Sequence, residues 1–106
     1  MVTLNITFAI DPRSEHKFLI FVKEELLPLL KKEGINSYHL KKVIEAGGEK
    51  PDPTHALSLA FGIDFESEEK AHQWSDSFLP SIFNKFQAQL GKESLFFTTL
   101  LENILI

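Results

Sequence analysis

Hydrophobic and polar positions alternate most strictly over residues 55–65. His55, Leu57, Leu59, Phe61, Ile63 and Phe65 share one parity, and Ala56, Ser58, Ala60, Gly62 and Asp64 the other. A period of two places the sets on opposite faces of a β-strand. One face is bulky and needs a covering layer; the other is small, so another group can approach its backbone closely. Residues 2–10 repeat the division, with Val2, Leu4, Ile6, Phe8 and Ile10 against Thr3, Asn5, Thr7 and Ala9. Two further segments alternate less cleanly. In residues 36–45, Tyr38, Leu40 and Ile44 fit one face and His39, Lys41 and Val43 the other, with Lys41 and Lys42 suited to an edge strand. In residues 94–102, Leu95, Phe97, Thr99 and Leu101 oppose Phe96, Thr98, Leu100 and Glu102, and both sets are partly apolar.

The intervening segments follow a helical period. Asp11-Pro12 opens the first, Phe18, Phe21, Val22, Leu26, Leu29 and Leu30 supply its buried stripe, and Gly34 stops it. Pro28 has no N–H to give Glu24 and is expected to kink this helix or end its regular part. Ser67-Glu68-Glu69 caps the second helix. Ala71, Trp74, Phe78, Ile82, Phe86 and Leu90 form its stripe, widened by Leu79 and Phe83; Pro80 is expected to interrupt it, and Gly91 to end it. A polar connection of hairpin type, residues 47–53, joins the second and third strands.

The order βαββαβ predicts an α+β fold, the ferredoxin-like sandwich, as one domain over residues 1–106. The four-stranded antiparallel sheet carries two helices on one face, with the first and third strands central. The uncovered face is expected to carry Thr3, Asn5, Thr7, Ala9, Ala56, Ser58, Ala60, Gly62 and Asp64. His39, Lys41, Val43, Phe96, Thr98 and Leu100 are expected to join them from the edges. Such a mixture suits neither water nor a full core. It predicts a homodimer in which open sheet faces pair and the apolar tail, residues 103–106, reaches across to the partner.

Composition narrows the function. The chain has no Cys, which excludes disulfides, thiolate metal sites and Cys nucleophiles. A net charge of −4, with no basic cluster longer than a pair, argues against nucleic acid. The small residues of the third strand also offer no platform for stacked bases. No apolar run approaches the roughly 20 residues that span a bilayer, so no membrane partner is expected. The start of the chain alternates like a strand instead of resembling a signal peptide, and the expected location is cytoplasmic. The sequon Asn5-Ile6-Thr7 lies inside a strand and is read as chance.

Of four histidines, none stands at metal-ligand spacing, and neither metal nor cofactor is expected. His16 and His72 read as solvated helix residues and His55 as structural. His39 points into the open face, where near-neutral titration suits ligand contact or acid–base work. Asn5, Thr7, Ser58 and Thr98 are the other candidate ligand-binding residues of that space. Asp64 fits it too, or else bonds into the turn before Ser67. No phosphate loop, serine elbow or carboxylate pair is visible, and no catalytic residue is assigned.

The closing segment Phe97-Thr98-Thr99-Leu100-Leu101-Glu102 resembles the Phe-Arg-Thr-Leu-Leu-Glu ending of an uncharacterised bacterial family, a domain-of-unknown-function family. Leu4-Asn5-Ile6-Thr7, Lys23-Glu24-Glu25 before Pro28, Gly34 and Pro80 extend the likeness over most of the chain. The resemblance implies a ferredoxin-like fold of dimeric α/β-barrel type and brings no activity. Where the family has Arg and two His, this chain has Thr98, Leu26 and Phe78, so any polar site of the relatives is replaced here. The leading expectation is a non-catalytic homodimer holding a small, partly apolar molecule or a protein partner between its sheets. The alternative is an enzyme resembling the cofactor-free monooxygenases or isomerases of that superfamily, with His39 acting and Asn5, Thr7 and Ser58 orienting substrate. A regulatory module that senses small ligands is the third possibility.

Overall fold

The computed structural model describes residues 1–50 and 56–106. His55 and the end of the polar connection, residues 51–53, fall outside the described residues. Strands β1 (Val2–Ile10), β2 (Tyr38–Lys42), β3 (Leu57–Phe65) and β4 (Leu95–Glu102) form one sheet in the order β2-β3-β1-β4, and every neighbouring pair is antiparallel. The two strands with the cleanest alternation are the central ones. Helical segments fill the two crossovers: α1 (Glu15–Phe21), a π turn (Val22–Leu26) and α2 (Leu27–Lys32) in the first, and α3 (Glu68–Leu90) in the second. This is the ferredoxin-like sandwich.

The first helical segment accommodates its proline by widening. The Leu27 N–H reaches back five residues to the Val22 carbonyl. A regular α-turn would press the Pro28 ring against the Glu24 carbonyl and leave that carbonyl without a donor, and a π turn relieves such a misfit. Pro80 differs from expectation: α3 runs through it without interruption. Ser67 caps α3 as its sequence suggests, its Oγ accepting the Lys70 N–H at 3.2 Å. Before α1, Asp11 accepts the Arg13 N–H at 2.8 Å and pairs with its guanidinium at 2.8 Å, which holds the carboxyl at about 2.

The core lies between the sheet and the helices. Every bulky position of β1 and β3 is buried there, together with Phe18, Phe21, Val22, Leu26 and Leu30 from the first crossover and Ala71, Trp74, Ile82 and Phe86 from α3. Phe8 is the hub: Phe18, Phe86 and Phe96 meet it edge-on at centroid distances of 5.0, 4.9 and 5.4 Å, within the range where aromatic pairs add to plain burial. Trp74 packs between Phe65 and Phe78, as a residue beneath the sheet should.

That hub corrects the reading of β4. Phe96, Thr98 and Leu100 stand opposite Phe8, Ile6 and Leu4 and therefore share the helix side, while Leu95, Phe97, Thr99 and Leu101 take the open face. A one-residue change of phase flips a whole strand, and the alternation cannot fix the phase when both columns are apolar.

Candidate functional site

The register lays the open face out as a lattice. Four rows cross the strands: Ser37–Asp64–Thr3–Leu101, His39–Gly62–Asn5–Thr99, Lys41–Ala60–Thr7–Phe97 and Val43–Ser58–Ala9–Leu95. The two central columns contain nothing larger than Asn and Asp. The β2 column is polar and basic in its middle, and the β4 column is bulky and apolar. The face is thus a shallow trough, with a floor of small residues, a His39–Lys41 wall and a Leu95–Phe97–Leu101 wall. From the spacing of strands the walls stand about 14 Å apart. Leu95, Phe97 and Leu101 are 57%, 61% and 50% exposed.

His39 lies down across the floor. A Cβ placed on Gly62 would meet His39 Cε1 and Nε2 at 2.5 Å, so the imidazole occupies the space that any side chain at 62 would need. The absent side chain of Gly62 is what lets the ring reach from the edge strand toward Asn5. Gly62→Ala should therefore displace the ring while costing little stability, since His39 is exposed and free to turn outward. The check is the chemical shifts of the His39 ring protons beside a thermal melt. Unchanged ring shifts would refute the seat.

Asp64 closes one end of the trough. Its carboxylate accepts the Ser37 hydroxyl at 2.6 Å and the Thr3 hydroxyl at 2.7 Å. The Ser37 bond, then the Thr3 bond, hold its acidity below the usual carboxylate range, and the nearby His39 adds a smaller pull the same way. Asp64 on β3 thus ties β1 to the residue that leads into β2, and among the described residues it makes no bond into the turn before Ser67. Hydrogen bonds to a charged group are worth about 1.5–3 kcal/mol when sheltered; for this partly open pair Asp64→Ala should cost about 1–2 kcal/mol in denaturant unfolding. A carboxyl whose folded pKa is depressed stabilises above its unfolded value of about 3.9. That contribution should fade as pH falls through the lower folded value. A wild-type and Asp64→Ala difference that failed to shrink as the pH falls below about 3.9 would contradict it.

Of the candidates read from sequence, His39, Asn5, Thr7 and Ser58 are brought to one surface, with Asn5 Nδ2 donating to Thr7 Oγ1 at 3.0 Å. Thr98 is not brought there: it faces the helix side. It lines a separate groove of about 600 Å³ between α3 and β4, where Leu79, Phe83, Phe96 and Leu100 stand beside His72, Ser75 and Asp76. Sequence reasoning missed the seat at Gly62, the Ser37–Asp64–Thr3 tie and the Phe97 wall. The small column around Gly62 was the available signal for the first; the other two needed the register. Among the described residues no cluster of three or more His, Asp or Glu could hold a metal, and no helix is long and apolar enough to cross a membrane. The surface offers hydroxyl, amide and imidazole groups beside a hydrocarbon wall, which suits a molecule with one polar and one apolar side.

Comparison with known proteins agrees with the architecture. The profile of a domain of unknown function, DUF4286, matches residues 1–104. No curated protein matches the chain. Among solved structures, the fold is similar to that of an ethyl tert-butyl ether d (EthD) family protein from Bacillus halodurans. The TM-score is 0.61 at 15% identity, over 98% of this chain and 100% of that one. At that identity the likeness concerns the fold alone.

Proposed function

The chain belongs to the DUF4286 family, and we propose that it works as a homodimer whose open sheet faces pair and hold a small, partly apolar molecule between them. One observation carries the reading: the exposed large apolar residues of the open face stand in a single column on β4, beside a floor too small to fill the space above it. A two-fold interface must be self-complementary. Laying β4 over the partner's β4 matches apolar wall to apolar wall and leaves the two polar floors facing a common space. In that space His39, Asn5, Thr7 and Ser58 supply polar contacts and Phe97 the apolar one.

The test combines mass and binding. Light scattering at micromolar concentration should give twice the chain mass. Amide shifts of Asn5, Thr7 and Ser58 should move when arylalkyl carboxylates and their uncharged analogues are titrated into labelled protein. A monomer mass would overturn the proposal; a dimer whose floor amides ignore every probe would remove the ligand. A cofactor-free enzyme is the second reading, favoured by the placement of His39 on the floor. It requires that His39→Ala abolish turnover of a bound molecule while the dimer survives.

A further inference from the structure

The two lysines of β2 differ in their partners. Lys42, on the helix side, gives its Nζ to Glu15 Oε1 at 2.7 Å. Lys41, exposed on the open face opposite Ala60, pairs with no carboxylate among the described residues. Within the four rows of that face the one acidic residue is Asp64, which already accepts the Ser37 and Thr3 hydroxyls. It stands two rows from Lys41, about 14 Å by strand geometry, beyond ion-pair reach and beyond a Debye length at physiological salt. The other polar groups of the middle rows also have protons to give. Thr7 Oγ1 accepts the Asn5 amide at 3.0 Å, which leaves the Thr7 O–H and the second Asn5 N–H available. His39 lies inward over Gly62, toward the same floor.

We infer that the molecule held between the sheets is a carboxylate with an apolar body. Its anionic end lies between the Lys41–His39 columns of both copies, and its apolar end between the Phe97 walls. This rests on the sheet-face dimer proposed above and names the class of its ligand. The symmetry of that dimer supplies the argument. Laying β4 over β4 in opposite directions also lays β2 over β2, because the two-fold axis then crosses all four strands. The apolar walls match with the axis on the Phe97 row or midway between the Phe97 and Thr99 rows. The first register sets Lys41 over the partner's Lys41; the second sets it over the partner's His39. Sheet faces about 10 Å apart therefore bring the basic groups of two copies together with no carboxylate of the rows beside them. Like charges so placed repel. A bound carboxylate removes the repulsion and accepts hydrogen bonds from both copies. Across the floor, Leu95, Phe97 and Leu101 receive the hydrocarbon part of the same molecule.

The probes are 4-phenylbutanoate, 4-phenylbutanamide and acetate, titrated at low salt into wild type and Lys41→Gln, with mass followed by sedimentation. Lys41 is exposed on an edge strand, so its replacement leaves the core intact. The phenyl acid should bind wild type at least tenfold tighter than the amide or acetate, and should tighten the dimer. Lys41→Gln should dimerise more tightly than wild type without ligand, and its preference for acid over amide should fall to twofold or less. A dimer that binds the amide as well as the acid overturns the anionic end and leaves the proposed dimer and its ligand space standing. Acetate binding as tightly as the phenyl acid overturns the apolar end. An undiminished preference in Lys41→Gln places that lysine out past the sheet edge and overturns its assignment. A dimer that binds none of the probes overturns the inference, and a monomer mass throughout overturns the dimer with it.

Discussion

Phe97→Glu is expected to break the proposed sheet-face dimer into a monomer of 12.1 kDa that remains folded. The side chain is 61% exposed and stands on the open face, directly across the row from Thr7. Nothing in the core depends on it, so the isolated chain loses little. In a pairing of β4 with β4, however, two glutamates would be forced close to the two-fold axis. Desolvating a carboxylate without a partner costs several kcal/mol, and like charges add to it. A loss of 3 kcal/mol already weakens association more than a hundredfold. Sedimentation or light scattering across a concentration series measures the change. The contrasting variant is Phe96→Ala. It lies one residue away on the helix side, in edge contact with Phe8 and Phe83. It should destabilise the chain while leaving the pairing face untouched. If Phe96→Ala broke the dimer and Phe97→Glu did not, the phase of β4 would have to be reversed.

The two neighbours also mark where the sequence stops being legible. Strands β1 and β3 each carry one face that is wholly bulky and one that is wholly small, so period two identifies their buried side without any knowledge of pairing. The same contrast fixes their central place in the sheet and the side on which the helices lie. β4 has Phe and Leu in both columns. There the decision falls to the register, Phe96 opposite Phe8, which is a long-range fact. The same limit governs the candidate site. His39 could be placed on the open face from its parity, but its seat on Gly62 follows from two strands meeting at that one pair of residues. The tie of Asp64 to Ser37 and Thr3 likewise joins segments far apart in sequence. The prolines show a different limit. The local penalty is the same at Pro28 and Pro80, yet one turn widens to a π turn and the other helix continues unbroken, a difference that local sequence does not encode.

Phe8→Ala should be the most damaging single truncation, costing about 3–5 kcal/mol. The ring is fully buried on the central strand β1, and four other phenylalanines from α1, α3 and β4 converge on it. Removing it opens a cavity where side chains from α1, α3 and β4 meet β1, and the flat rings around it cannot collapse into the space without leaving their present packing. Domains of this size are stable by about 5–15 kcal/mol, so the variant should retain only part of the wild-type stability. Phe61→Ala, buried on β3 against Tyr38, should fall within the same range. Ser58→Ala, on the opposite face of the same strand, should change stability by less than about 0.5 kcal/mol, because its hydroxyl stands on the floor of the trough. Urea unfolding of the three variants at one protein concentration measures the contrast. Equal, mild losses from Phe61→Ala and Ser58→Ala would mean that the bulky face of β3 is not the one the helices cover, and with it the trough, its walls and the proposed pairing would all change sides.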